Sequence, residues 1–142
     1  MPVKARMHLK IWLTRADGDA DGREGPEMVG QGRIELLRRT AELGSLKKAA
    51  ESMNMSYRLA WGRLKKMEEA LGRPLVENSD NRRGGYRLTP DGAGLVRNFR
   101  RWEDSVRRFA LANAPRLCDL RLEADARGTD AEERAPAAPA RD

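Results

Sequence analysis

The chain has 142 residues, 35% of them charged, and a net charge of +6, which fits one domain with appendages. No apolar run approaches the roughly 18 residues of a membrane span, and the apolar stretch near the N-terminus is broken by Lys10 with no small-residue cleavage site after it, so neither a span nor a signal peptide is expected. One cysteine and one histidine exclude an internal disulfide and a zinc site of about four Cys and His ligands.

The charge is uneven. Residues 1–112 carry +8 and residues 113–142 carry −2, so a basic body precedes a slightly acidic tail, a distribution compatible with a polyanionic partner.

In chain order, residues 7–14, MHLKIWLT, alternate partly and hold Ile11, Trp12 and Leu13. They predict a strand with His8 on its surface. The Gly- and Asp-rich run from Arg15 to Glu27 reads as a loop. Met28-Val29-Gly30 reads as a short return strand that closes an N-terminal hairpin. Residues 33–43 place Ile34, Leu37 and Ala41 on one face, with Leu36 a further candidate, which predicts an amphipathic helix. Gly44 suits the left-handed position after a helix end.

Ser45 then caps a helix over 46–53 with Leu46, Ala49, Ala50 and Met53 inward. Asn54 tolerates the left-handed conformation of a tight turn. Ser56 caps a third helix that runs to Leu71, with Gly72 closing it. Ala60, Leu64, Met67 and Leu71 fall on one stripe of that helix.

Residues 74–77 and 86–88 predict two short strands joined by the polar tip NSDNRRGG, a hairpin with a basic end. Thr89-Pro90-Asp91 combines a cap, a proline in the first turn and an acid that suits the helix dipole. The helix it starts is expected to reach about Ala112 and to carry Leu95, Val96, Phe99, Trp102, Val106, Phe109 and Ala110 as a long apolar stripe. Pro115 interrupts it. The remainder, with Cys118 and APAAPARD, is expected to be a disordered tail.

The order is therefore hairpin, helix, helix–tight turn–helix, hairpin, long helix. The expected fold is mainly α (α+β): a winged helix-turn-helix with an N-terminal β-hairpin and a long C-terminal helix. Residues 1–112 would form the domain, with a dimerising helix over about 89–112, and 113–142 the tail. In such a unit the second helix of the pair enters the major groove of double-stranded DNA while the first braces it.

At 100° per residue, Arg58, Gly62, Lys65 and Glu69 fall opposite the core stripe. Tyr57 and Trp61 lie on one shoulder, Arg63 and Lys66 on the other. Ser56, Tyr57, Arg58, Trp61 and Gly62 are the candidates to read bases, with Arg58 suited to guanine. Gly62 would let the helix lie close to DNA. Ser45, Lys47 and Lys48 are candidates for phosphates, as are Arg82 and Arg83 at the wing tip, which could also reach a minor groove.

Plainer readings stand beside these. Exposed Lys and Arg often form only a solvated face. Trp61 has a partner contact or packing under the N-terminal hairpin as alternatives, and Tyr57 a place flanking the core. Trp102 and Phe109 suit packing or a dimer contact better than a ligand cage.

The stretch GSLKKAAESMNMSYRLAWGRLKKMEEALGRPLVE, followed by LTPDGAGLVRNF, resembles the winged helix-turn-helix of LysR-type regulators. It is similar above all to the DNA-binding domain of the molybdate-dependent ModE family. Gly44-Ser45-Leu46, Ala49-Ala50, Met55-Ser56-Tyr57-Arg58 and Ala60-Trp61 carry the resemblance, which covers about residues 7–112. It implies that Ser56, Tyr57, Arg58 and Trp61 sit at recognition-helix positions. It also implies a homodimer, with the long helix, through Leu95, Phe99, Trp102, Val106 and Phe109, in the dimer interface. ModE regulators carry molybdate-binding domains after this one. Here about thirty residues follow, with little to bury, so the expectation is a stand-alone DNA-binding member with no molybdate site.

The expected function is a cytoplasmic, nucleoid-associated, sequence-specific transcriptional regulator acting as a homodimer on DNA. It would have no cofactor, no metal and no membrane partner. The alternatives are a protein-interaction adaptor and a sequence-neutral nucleoid protein. No enzyme is expected, because no Walker-type loop, dinucleotide fingerprint or paired-carboxylate motif is present.

Overall fold

The computed structural model describes residues 2–16, 27–79, 85–117 and 119–123. The expected loop residues 17–26, the expected hairpin-tip residues 80–84 with Arg82 and Arg83, Cys118 and residues 124–142 lie outside the described residues. The chain divides into two compact units, Ile11–Arg100 and Met1–Lys10 with Arg101–Asp142.

The larger unit opens with the expected hairpin, in shorter form. Strand β2, Trp12–Thr14, pairs antiparallel with β3, Glu27–Gly30, with Trp12 opposite Gly30 and a bulge between Leu13 and Thr14. The predicted strand over 7–14 is thus corrected to its last three residues. The physical reason lies in its partner: after Gly30 the chain turns directly into helix α1, Gln31–Leu43, which removes the ladder that residues 7–11 would need.

Helix α1 buries Ile34, Leu36, Leu37 and Thr40, while Ala41 is exposed. The expected inward place of Ala41 is thus taken by Thr40, a polar residue. Its hydroxyl donates to the Leu36 carbonyl at 2.7 Å, which satisfies the group inside the core. Gly44 ends α1 at φ 68°, a left-handed conformation that costs glycine nothing.

Helix α2, Leu46–Ser52, and helix α3, Tyr57–Leu71, follow with the expected caps. Ser45 Oγ accepts from the Lys48 N–H at 3.2 Å and Ser56 Oγ from the Leu59 N–H at 3.1 Å. Leu46, Ala49 and Ala50 of α2 and Ala60, Leu64 and Met67 of α3 form one core with Leu36, Leu37, Leu75 and Val76.

The wing consists of β4, Val76–Asn78, antiparallel to β5, Tyr86–Leu88. Its exit is knotted to its entry. The Thr89 N–H donates to the Leu75 carbonyl at 3.0 Å and the Thr89 hydroxyl to the Pro74 carbonyl at 2.7 Å. Thr89 Oγ1 also accepts from the Gly92 N–H at 3.1 Å, which starts helix α4, Pro90–Asn113. Gly92 packs directly on the wing: a Cβ there would fall 2.1 Å from the Leu75 carbonyl oxygen.

A second cluster of Val29, Ile34 and Phe99 closes this unit, with Leu95 and Val96 packed against it. Together these elements make a winged helix-turn-helix with an N-terminal hairpin and a long C-terminal helix.

In the smaller unit, β1, Val3–Ala5, pairs in parallel with β6, Leu120–Leu122, Val3 opposite Leu120. A 3-10 turn over Ala114–Arg116 contains the predicted proline break. The expected disordered tail from residue 113 instead shows regular structure at Asn113, Ala114–Arg116 and Leu120–Leu122. Leu120 and Leu122 alternate with Arg121 and are half-buried, a period-two pattern that a strand can use.

Candidate nucleic-acid interface

The joint between α2 and α3 is held by backbone bonds. The Met53 N–H donates to the carbonyls of Ala49 and Ala50, and the Met55 N–H returns to Ala50 at 3.0 Å. Asn54 between them takes φ 54°, the one positive φ outside glycine among the described residues.

Arg39 of α1 braces the same corner: its Nη1 donates to the Ser52 carbonyl at 2.8 Å and its Nε to Glu35 at 2.7 Å. Glu35 is largely buried and also accepts from Arg38 Nε at 2.9 Å. Burial pushes its carboxyl up, but the hydrogen bonds and charges of Arg38 and Arg39 outweigh that and hold it below the ordinary glutamate value.

Helix α3 presents its other side outward. Ser56, Tyr57, Arg58, Lys65 and Lys66 are exposed, while Trp61, Gly62 and Arg63 are half-buried. Lys47 and Lys48 are exposed on the first turn of α2, with Ser45 half-buried before them. These predicted residues thus share the α2–α3 unit. Arg82 and Arg83, on the wing tip, lie outside the described residues. Apart from its chain neighbours and the backbone of its own helix, no described heavy atom comes within 4 Å of a Cβ built on Gly62.

Within the candidate set, some side chains engage one another. Tyr57 stacks on Trp61 with ring centroids 6.5 Å apart, and Trp61 meets Tyr86 of β5 at 6.4 Å. Lys65 Nζ lies 4.4 Å from the Trp61 ring centroid and 3.1 Å from Glu68 Oε1, within reach of a cation–π contact. Packing under the N-terminal hairpin is one of the alternatives for Trp61; the ring packs against the core and the wing.

Arg63 contributes its backbone, whose carbonyl accepts from Arg33 Nη1 at 3.1 Å. Burial lowers the pKa of the Arg33 guanidinium, Glu27 opposes that, and Arg63 adds to it.

Tyr86, Arg33 and Arg39 are contributors that the sequence reading missed. Arg33 and Arg39 lie on a helix read only for its apolar stripe. Tyr86 had one available signal, since it is one of two tyrosines in the chain and the other is Tyr57.

The predicted dimer stripe divides. Phe99 is 5% exposed and packs on Val29 and Ile34, with Leu95 half-buried beside it. Phe99 is thus covered within its own chain. Further along α4, Trp102 is 42% and Phe109 72% exposed, with Val106 half-buried.

Residues 32–93 match the family described as bacterial regulatory helix-turn-helix protein, lysR family. The match spans less than half of the chain. The chain is also 34% identical over 79 residues to the molybdenum-pterin-binding protein MopA of Rhodobacter capsulatus, a match that covers 54% of this chain and 30% of that protein.

Among solved structures it is similar to the CbnR_DBD–DNA complex, at TM-score 0.50 and 22% identity over 61% of this chain and 97% of that one. It is also similar to CbnR, a LysR family transcriptional regulator, at TM-score 0.47 and 23% identity over 59% of this chain and 28% of that one. The first likeness supports the winged helix-turn-helix fold. No described helix is long and apolar enough to cross a membrane.

Proposed function

We propose that this chain is a transcriptional regulator of the ModE-like kind that binds double-stranded DNA sequence-specifically as a homodimer. The observation that carries the reading is the exposed face of α3. Arg58, Lys65 and Lys66 project from a helix whose opposite side, Ala60, Leu64 and Met67, is locked in the core.

The LysR-type match over the same segment supports it, and the similarity to MopA supports the ModE-like grouping. The mechanism is occupancy, with no covalent step. Lys47, Lys48 and the hydroxyl of Ser45 hold phosphates and set the register. The first turns of α3, with Ser56, Tyr57 and Arg58, face base edges in the major groove, Arg58 paired with a guanine. Lys65 and Arg63 flank the groove, and Arg82 and Arg83 of the wing add charge. The exposed Phe109, with Val106 and Trp102, supports a second copy of the chain as the partner of α4.

Selection from a random DNA pool at about 150 mM salt, where purely electrostatic binding is suppressed, tests the reading. The expected product is an inverted repeat with half-sites about one helical turn apart, or a multiple of it. Retention without sequence enrichment would favour a nucleoid protein, and no retention at low salt an adaptor.

On the selected site, Arg58→Ala should weaken binding by about 1–3 kcal/mol and relax one base position, whereas Lys47→Ala should weaken all sequences alike. Unchanged selectivity in Arg58→Ala would remove the proposed reading face.

A further inference from the structure

We infer that Tyr86, on the wing, is a positioning residue for the recognition helix: it closes an aromatic clasp that holds Trp61 and, through it, Tyr57 in the orientation used to meet DNA. The inference rests on the DNA-binding reading above and deepens it.

Three observations meet at Tyr86. Its backbone N–H donates to the Gly44 carbonyl at 3.1 Å, so strand β5 is pinned where α1 ends and α2 begins. Its ring lies 6.4 Å from that of Trp61 at an interplanar angle of 46°. Trp61 in turn stacks at 19° on Tyr57, in the first turn of α3. Lys65 Nζ lies over the middle ring of the row, that of Trp61. Tyr86 itself is half-buried, and its phenol is pushed up by burial and by the neighbouring Tyr57 phenol, with Lys65 acting the other way.

Each tilted or offset aromatic pair favours a defined ring orientation. A row of three therefore restricts Tyr57 to fewer rotamers than an exposed tyrosine would sample. The restriction comes from the wing, an element separate from α3 in sequence. Trp61, enclosed in the row, acts as its middle member; Tyr57, 48% exposed, is the end that faces outward. The wing thereby does more than add phosphate contacts. It orders a side chain on the helix that reads.

The test uses the full chain and two readouts. The first needs no DNA. The chain has two tyrosines, so in Tyr86→Ala the tyrosine ring NMR signals belong to Tyr57 alone. The expected result is a shift of those signals toward values for a solvated tyrosine, with an unchanged fold by circular dichroism. Tyr86→Phe, which keeps the ring, should retain the Tyr57 shift.

The second readout is the ratio of affinities for the selected site and for scrambled DNA. Tyr86→Ala should lower it about tenfold, the size of one aromatic pair, while affinity for scrambled DNA and its salt dependence stay the same. A merely structural role would lower both affinities together. Should Tyr86→Ala unfold, Tyr86→Leu keeps the apolar bulk and removes the aromatic contact, and the same readouts decide.

Tyr57 signals that stay in place, or a ratio that stays unchanged in a wild-type background that does select a sequence, would overturn the clasp alone. A wild-type chain that selects no sequence would overturn the DNA-reading proposal, and this one with it.

Discussion

Helices α3 and α4 carry the same kind of apolar stripe but use it differently. In α3 the stripe is consumed by the core: Ala60 and Met67 are 0% and Leu64 1% exposed, and what remains outside is mostly charge. In α4 the buried positions are Gly92 and Phe99, and Phe109 is largely exposed. Length explains the difference. Helix α4 has 24 residues against 15 in α3, and its stripe continues beyond Phe99, the last residue on it that belongs to a core cluster. The lesson is that periodicity shows which side of a helix is apolar. What covers that side depends on how far the neighbouring elements extend. A basic outer face suits a polyanion, whereas an uncovered apolar stretch suits another protein surface.

The largest expected effect tests that contrast directly. Leu64→Ala should destabilise the fold by about 2–5 kcal/mol, because a fully buried leucine leaves a cavity. Phe109→Ala should leave unfolding of the isolated chain nearly unchanged and instead shift sedimentation toward the monomer. Equal losses of stability in urea titrations of the two variants would erase the distinction between the helices.

Next in size is the junction where α4 meets the wing. Gly92→Ala forces a methyl against the Leu75 carbonyl oxygen, and overpacking of this kind costs about 1–3 kcal/mol. Gly94→Ala supplies the control: the nearest neighbour to its Cβ is an Arg97 side-chain atom at 3.8 Å, so it should be neutral or mildly stabilising. A similar loss in both variants would show that helix entry, and not the close approach, sets the cost.

Smaller again is the acid sensitivity of the α1 brace. The carboxyl of Glu35 titrates below its ordinary value in the folded chain. Its stabilisation is therefore complete above the ordinary glutamate range and is lost as pH falls through the folded value. Glu35→Gln should flatten the acid limb of a stability–pH curve, while Arg38 keeps Glu42 and Arg39 keeps the Ser52 carbonyl. An unchanged limb would mean that other carboxylates carry the acid response.

What was legible in the sequence was what local chemistry decides. Ser45, Ser56, Gly44 and Asn54 announce caps and turns through their own side chains or the lack of one, and the structure uses each that way. What was not legible depends on distant partners. The strand over 7–14 looked long because its own residues alternate, yet its length is limited by β3. The pairing of Val3–Ala5 with Leu120–Leu122 joins two three-residue segments far apart in sequence, too short for either to signal the other. Thr40 hid in the core because its hydroxyl finds a carbonyl one turn back. The candidate reading face could be drawn from helical geometry alone. The ring of Tyr86 beside it could not, because it arrives from another element.

The smallest expected change is the most informative about orientation. Gly62 lies on the outer side of α3 with open space where a Cβ would be. Alanine there clashes with nothing in the chain and improves helix propensity, so Gly62→Ala should stabilise the fold by about 0.5–1 kcal/mol. If α3 lies in the major groove by this face, the added methyl stands between helix and bases, and affinity for the selected site should fall. The two effects have opposite signs, which separates contact from folding: loss of structure cannot weaken binding in a variant that is more stable. Melting temperature and DNA affinity measured on the same preparation decide the matter. A variant that melts higher and binds as before would turn α3 in the groove, moving the contact to the shoulder of Arg63 and Lys66.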